Sequence, residues 1–234
     1  MTRRRWIADE VSANRAMLIG DHARHLAQAL RAQVGQEFEI SVDGNVHRGR
    51  IAAISPDRVE FDLGDPVAAS APLPVSVAIS IFKFDRMEWA IEKCTELGVV
   101  RIVPLIAGRT ESHLASAAGK RVERWRRIVK QASEQSRRTS PPEIANPIKF
   151  KDCVAGVAEG SRVVLSEVEQ DIPLRDAIIP GESLTLAFGP EGGWKEQELA
   201  AFASAGWKSA SLGPTILRAE TAVIAAVAVA ASML

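Results

Sequence analysis

The pattern of apolar and polar positions changes character close to residue 70. Before it, Glu37-Phe38-Glu39-Ile40-Ser41-Val42 alternates with period two, and Asp43-Gly44 supplies a tight hairpin turn. His47 to Ile54 reads as the return strand, and Arg58 to Leu63 alternates again. One helix is expected, from Asp21 to Leu30, with Asp21 placed to cap it. Short, mostly antiparallel strands of this kind predict a small β-barrel over residues 1–70.

The run from Gly64 to Pro74 carries three prolines and many small residues, and reads as an interdomain linker. After it the rhythm becomes strand, helix, strand, helix. Val75 to Phe82 is an apolar strand, and Asp85-Arg86-Met87-Glu88 reads as a capping box. Met87, Ala90, Ile91, Cys94 and Leu97 recur at helical spacing until Gly98 closes the helix. Further strands are expected at Val99 to Ile106, Arg162 to Leu165, Leu184 to Phe188 and Lys208 to Leu212. Helices are expected from Lys120 to Arg138, with Val122, Trp125, Val129 and Ala132 on one face, from Lys195 to Ala205, and from Arg218 onward. Alternating units of this length imply an α/β domain over residues 75–234, a mainly parallel sheet with helices on both faces. Ligands of such sheets bind at the carboxyl ends of the strands.

Composition narrows the class. A formal net charge of zero gives the whole chain no nucleic-acid signature, so local clusters matter more than the sum. Cys94 and Cys153 form no C-x-x-C pattern, and His22, His25, His47 and His113 lack metal-ligand spacing, so no metal site is expected. The segment Met1 to Trp6 has no apolar signal-peptide core, and the run Ala222 to Ala231 is too short to span a bilayer. These features point to a cytoplasmic protein without a membrane partner.

Two glycine-bearing loops leave the carboxyl ends of expected strands. One is Phe188-Gly189-Pro190-Glu191-Gly192-Gly193-Trp194, and the other runs from Ser211 through Leu212, Gly213, Pro214, Thr215, Ile216, Leu217, Arg218, Ala219 and Glu220 to Thr221. Either alone reads as a tight turn; two at one sheet edge suggest a shared pocket. The first loop has a glutamate and no lysine, unlike a phosphate-binding loop. A ligand with an adenine, little phosphate and a positive centre suits it better. S-adenosylmethionine fits that description, although the residues narrow the choice without settling it.

Gly189-Pro190-Glu191-Gly192-Gly193, with Leu212-Gly213-Pro214 and Ile216 to Ala222, resembles the bacterial 16S ribosomal RNA uracil-N3 methyltransferases of the SPOUT superfamily. The likeness extends to Arg86-Met87-Glu88, Lys93 to Val99, Glu134-Gln135-Ser136 with Arg138, and His25-Leu26 followed by Leu30-Arg31. It implies a PUA-like RNA-binding barrel followed by a trefoil-knotted α/β domain, and a homodimer with active sites at the subunit interface. It also implies S-adenosylmethionine as cofactor, held by Leu165, Phe188, Gly189, Pro190, Glu191, Gly192, Gly193, Leu212, Gly213, Ile216, Leu217 and Arg218. The implied substrate is a uridine of 16S rRNA in the small ribosomal subunit. Two positions depart from the family pattern: Thr215 stands where arginine is usual, and Ala219 where threonine is usual.

Uracil N3 carries a proton at neutral pH, so methylation there needs a proton acceptor or stabilisation of charge on O2 and O4. Arg218 is the candidate for the second task, and Glu191 or Glu220 for the first. Arg218 and Glu220 also have a plainer reading, as an ion pair in the first turn of a helix. Candidate phosphate contacts are Arg3, Arg5, Arg24 and Arg31 in the first domain and Lys83, Arg86, Lys93, Arg137 and Arg138 beyond it. Between Lys120 and Arg138, eight basic residues stand against two glutamates. Among the tryptophans, Trp125 reads as core and Trp194 as a pocket residue. Thr215 and Ala219 keep a second reading open, a catalytically weak or inactive relative that binds RNA as a ribosome assembly factor.

Overall fold

The computed structural model describes residues 4–156 and 160–234. They fall into two compact units: one takes residues up to Ala71 together with Lys130–Pro141, the other Pro72–Val129 with Pro142–Leu234.

The first unit contains β1 (Trp6–Ile7), β2 (Glu10–Ser12), β3 (Arg15–Ile19), α1 (Asp21–Arg24), β4 (Glu37–Val42), β5 (Asn45–Ser55) and β6 (Arg58–Val67). Its sheet has the order β1-β4-β5-β6-β3-β2, antiparallel except where β1 meets β4. Two adjacent residues join the ends of this sheet. The N–H of Ala8 donates to Ser41 O on β4, and that of Asp9 to Met17 O on β3, both at 2.9 Å. The β4–β5 turn has Asp43 at φ 47° and Gly44 at φ 81°, the double positive φ that an Asp-Gly hairpin turn provides. Trp6, Leu18, Leu26, Ile40, Ile51 and Phe61 fill the interior. Gly49 is required there, since a β-carbon would lie 2.4 Å from Ile40 Cγ1.

Two local expectations change. The helix is capped by Gly20 at φ 59°, not by Asp21, whose side chain is exposed and bonded to Arg24. After Arg24 the chain widens into a π-helical turn, His25–Ala29, with Leu30 N–H bonding to His25 O. The expected linker is also shorter, because β6 continues to Val67 and pairs it with Val46.

Residues 130–141 are tied into this unit by charge. Glu39 accepts from Arg5 Nε and Nη2 at 2.9 and 2.8 Å, and from Arg137 Nη2. Asp9 accepts from the Ile19 amide at 2.9 Å and pairs with Lys130 and His22. Burial pushes Asp9 upward, but the hydrogen bonds with His22, Lys130 and Ile19 prevail and leave its pKa at about 2. Glu134 shows the opposite balance: burial raises its pKa despite the cations around it.

The second unit contains β7 (Val75–Ser80), α2 (Phe84–Glu96), β8 (Arg101–Ile106), α3 (Ser112–Ala117), α4 (Val122–Gln135, grouped with the first unit from Lys130 on), β9 (Glu143–Ile144), β10 (Ile148–Lys149) and α5 (Phe150–Gly156). It continues with β11 (Ser161–Leu165), α6 (Leu174–Ala177), β12 (Leu184–Phe188), α7 (Glu196–Ser204), β13 (Lys208–Ala210) and α8 (Ala219–Ala231). The sheet is parallel throughout, in the order β10-β8-β7-β12-β11-β13, with β9 also on β8. Strand alternation sorts its two faces. Val77, Ile79, Val163, Leu165, Leu184 and Leu186 pack with Met87, Ile91, Trp125, Val223 and Val227. Ala78, Val164 and Ala187 face Trp194, Phe202 and Trp207.

The capping box expected at Asp85 is not formed. Phe84 is already helical and packs on Trp125 with ring centroids 6.2 Å apart, so Lys83 is the cap residue and Asp85 lies inside the first turn. Gly98 does end this helix with positive φ, 102°. Among the described residues, no helix is long and apolar enough to cross a membrane.

Candidate functional site

Strands β11, β12 and β13 are neighbours, so the three segments leaving their carboxyl ends meet at one edge of the sheet. They enclose a cavity of about 370 Å³ with the start of α8 and Arg86 from α2. Its apolar lining includes Leu165, Phe188, Trp194, Ala210, Leu212, Leu217, Ala219 and Ala222. Of the residues expected at the cofactor, Leu165, Phe188, Gly189, Pro190, Glu191, Gly193, Leu212, Gly213, Ile216, Leu217 and Arg218 all line it. Gly192 does not. Its carbonyl instead accepts a hydrogen bond from Arg109 Nη1 at 2.7 Å, so it shapes the loop without facing the cavity.

The glycine loop after β12 is fixed by its own end residues. The indole N–H of Trp194 donates to Leu165 O at 3.0 Å, tying this loop to the end of β11. Gly193 takes φ 69°, and its N–H closes a turn onto Pro190 O at 2.8 Å. In the second loop Gly213 has φ 118°, and its N–H bonds to Ser211 Oγ at 3.1 Å. Backbone conformations of this kind favour glycine, which explains Gly193 and Gly213.

Glu167, Glu191 and Glu220 provide three carboxylates to the lining, and Arg86 and Arg218 two guanidinium groups. Arg86 Nη1 is 3.4 Å from Glu191 Oε1, and its Nε is 3.8 Å from Glu220 Oε1. Glu220 is buried in the first turn of α8, and among the described residues its Oε2 has no hydrogen-bond partner. Arg218, the exposed cap residue of α8, holds extended backbone at φ −64°, ψ 152°. The three expected catalytic residues are thus brought to one cavity, with Arg86 bridging two of them.

Sequence reading missed Ser166 and Glu167, which follow β11. No glycine marks that segment, and nothing local signals that β11 lies between β12 and β13. Arg86, expected at RNA, lines the cavity.

The remaining expected RNA contacts divide. Arg3 lies outside the described residues. Arg5 is corrected: only 6% exposed, it is spent on Glu39 and on the Arg137 carbonyl. Arg137 is likewise engaged by Glu39. Arg138 is half-buried, and loss of hydration lowers its pKa to about 10. Lys93 is bracketed by Glu92 and Glu96 at 2.7 and 2.8 Å, which raise its pKa. Arg24, Arg31 and Lys83 are exposed cations.

A parallel α/β domain with such a cavity at the carboxyl edge of its strands is built like an enzyme domain that handles a small organic ligand. The chain belongs to the RNA methyltransferase family, whose methyltransferase-domain model matches residues 69–231; the model of the RNA methyltransferase PUA domain matches residues 18–64. It is 37% identical to ribosomal RNA small subunit methyltransferase E of Mycobacterium bovis, over 92% of this chain and 85% of the relative. The structure of ribosomal RNA small subunit methyltransferase E from Neisseria gonorrhoeae, bound to S-adenosyl methionine, superposes with a TM-score of 0.86 at 29% identity, covering 97% of this chain and 95% of that one. A putative methyltransferase from Legionella pneumophila with bound cofactor SAM gives 0.89 at 26% identity, covering 99% and 98%.

Proposed function

We propose that this protein transfers a methyl group from S-adenosylmethionine to N3 of a uridine in 16S ribosomal RNA of the small subunit. The observation that carries this reading is the cavity at the two glycine loops, with Glu220 Oε2 buried in its lining and without a hydrogen-bond partner among the described residues. Its volume lies in the range of small-molecule sites, roughly 300 Å³ upward. More carboxylates than guanidinium groups line it, which suits a ligand with a positive centre and disfavours a polyphosphate. S-adenosylmethionine fits this residue set.

The cofactor supplies a methyl group already activated by a sulfonium. The protein's task is alignment and charge. Arg218 stabilises the negative charge that develops on uracil O2 and O4. Glu220 or Glu191 accepts the N3 proton, directly or through water, while Arg86 holds both carboxylates in place. Leu165, Phe188, Leu212 and Leu217 give the site an apolar wall beside which these charges act more strongly.

The same proposal includes a PUA-like RNA-binding domain at residues 1–70, a trefoil-knotted SPOUT domain at residues 75–234, a homodimeric assembly and a cytoplasmic location. Arg31 and Lys83, and Arg24 on exchange of its exposed Asp21 partner, are its phosphate contacts.

The test is titration with S-adenosylmethionine, followed by primer extension on 16S RNA, both free and in small ribosomal subunits, treated with enzyme and cofactor. N3 lies on the pairing edge of uracil, so its methylation stops reverse transcription at one position. Cofactor binding with a single new stop supports the reading. Absence of binding overturns it, and binding without any stop overturns the assignment of N3.

A further inference from the structure

The loop from Gly189 to Trp194 is also held by residues that do not line the cavity. Arg109, beyond the end of β8, donates from Nη1 to the carbonyls of Gly192 at 2.7 Å and Trp194 at 3.1 Å. Its position is set by a small turn, in which the Ala107 amide bonds to Thr110 Oγ1 at 3.0 Å and the Thr110 amide returns to Ala107 O at 3.1 Å. Next to it, the Gly108 amide donates to Glu198 Oε1 at 2.7 Å, and the Lys195 amide to Oε2 of the same carboxylate at 2.9 Å. Gly108 accommodates the Lys195 side chain, whose Cδ would be 2.9 Å from a β-carbon there. The segment after β8 is thereby fastened both to the glycine loop and to the start of α7.

We propose that Arg109 is a positioning residue for the cofactor loop, acting through the Gly192 and Trp194 carbonyls without touching the ligand. This rests on the methyltransferase reading above. A loop with adjacent glycines has unusual conformational freedom, which ligand binding must remove. Fixing two of its carbonyls beforehand lowers that cost and pre-organises the site. The bonds are charge-assisted, and a guanidinium offers donors in a fixed plane that an ammonium lacks. The competing role for an exposed arginine in an RNA-modifying enzyme is contact with RNA phosphate, and the two roles have different signatures.

The experiment compares wild type, Arg109→Ala and Arg109→Lys in the full chain. Calorimetry reads S-adenosylmethionine affinity, filter binding reads RNA affinity against salt, and hydrogen exchange reads the loop without ligand. Arg109→Ala is expected to bind the cofactor about tenfold more weakly, since both charge-assisted contacts to the loop are lost. RNA affinity and its salt dependence remain those of wild type, while exchange of the Glu191, Gly192 and Gly193 amides accelerates. Arg109→Lys recovers part of the affinity, and if the alanine variant fails to fold, the lysine variant carries the comparison. Wild-type cofactor affinity and loop exchange in Arg109→Ala overturn the proposal, as does a weakened RNA complex with unchanged cofactor binding. A wild-type protein that binds no cofactor overturns the methyltransferase reading and this inference with it.

Discussion

Gly193 lies directly against the carboxylate of Glu167: a β-carbon on Gly193 would be 2.4 Å from Glu167 Oε1. The glycine comes from the loop after β12 and the glutamate from the segment after β11, so two walls of the cavity meet at this point. Gly193→Ala therefore pushes the exposed Glu167 carboxylate aside and sets alanine on a left-handed backbone at φ 69°. Strain there costs about 1 kcal/mol before the displacement of Glu167 is counted. Cofactor affinity is expected to fall at least about tenfold, measured by calorimetry, with a small drop in thermal midpoint. Unchanged affinity would place the ligand elsewhere.

Arg218 and the two glutamates separate by kinetics. Removing a group that stabilises developing negative charge costs about 100- to 1000-fold in turnover, so Arg218→Ala should lose that much in single-turnover methyl transfer. Glu220→Gln is expected to lose about 100-fold, and Glu191→Gln less, because Glu191 is half-exposed and nearer to Arg86. Equal rates for Glu220→Gln and wild type would remove Glu220 as proton acceptor.

Stability of the first unit depends on Asp9 in acid. Its folded pKa of about 2 lies below the unfolded value of about 3.9, so its contribution is full above pH ~4 and lost as pH falls through ~2. Because Asp9 is partly open to solvent, screening reduces the amount to about 1 kcal/mol. Asp9→Asn should lower denaturant stability at pH 7 and flatten its decline below pH ~4. Glu134, raised by burial, contributes with the opposite sign, favouring the folded state as it becomes protonated. A variant with the same acid profile as wild type would show that the Asp9 pairs contribute nothing.

Two basic residues should respond differently to removal. Arg5→Ala removes both donors to Glu39 Oε2 in a partly buried network and should destabilise the protein by about 1 to 2 kcal/mol, leaving the salt dependence of RNA binding unchanged. Lys83→Ala, at an exposed position, should keep the melting temperature and reduce the salt slope of RNA binding by about 1. Urea titration and binding at several salt concentrations check both.

The amino-acid sequence alone determined what short-range geometry controls. The Asp43-Gly44 hairpin, the strand Leu184–Phe188, the helix end at Gly98 and the two glycine loops were all legible, because turn chemistry and side-chain period depend on neighbouring residues. Small shifts at helix starts, such as Gly20 replacing Asp21 as cap, arose where backbone and packing override a local preference.

The tertiary structure decided which distant segments meet. Placing β12 between β7 and β11 carries Glu167 to Gly193, while α2 and α8 bring Arg86 to Glu220. It also turned Arg5 from an apparent phosphate contact into a buried partner of Glu39 and residue 137. A sequence displays the number and spacing of charges. Whether each one faces water, an opposite charge or a cavity depends on strand pairings and packing between residues far apart in the chain, which local spacing does not encode.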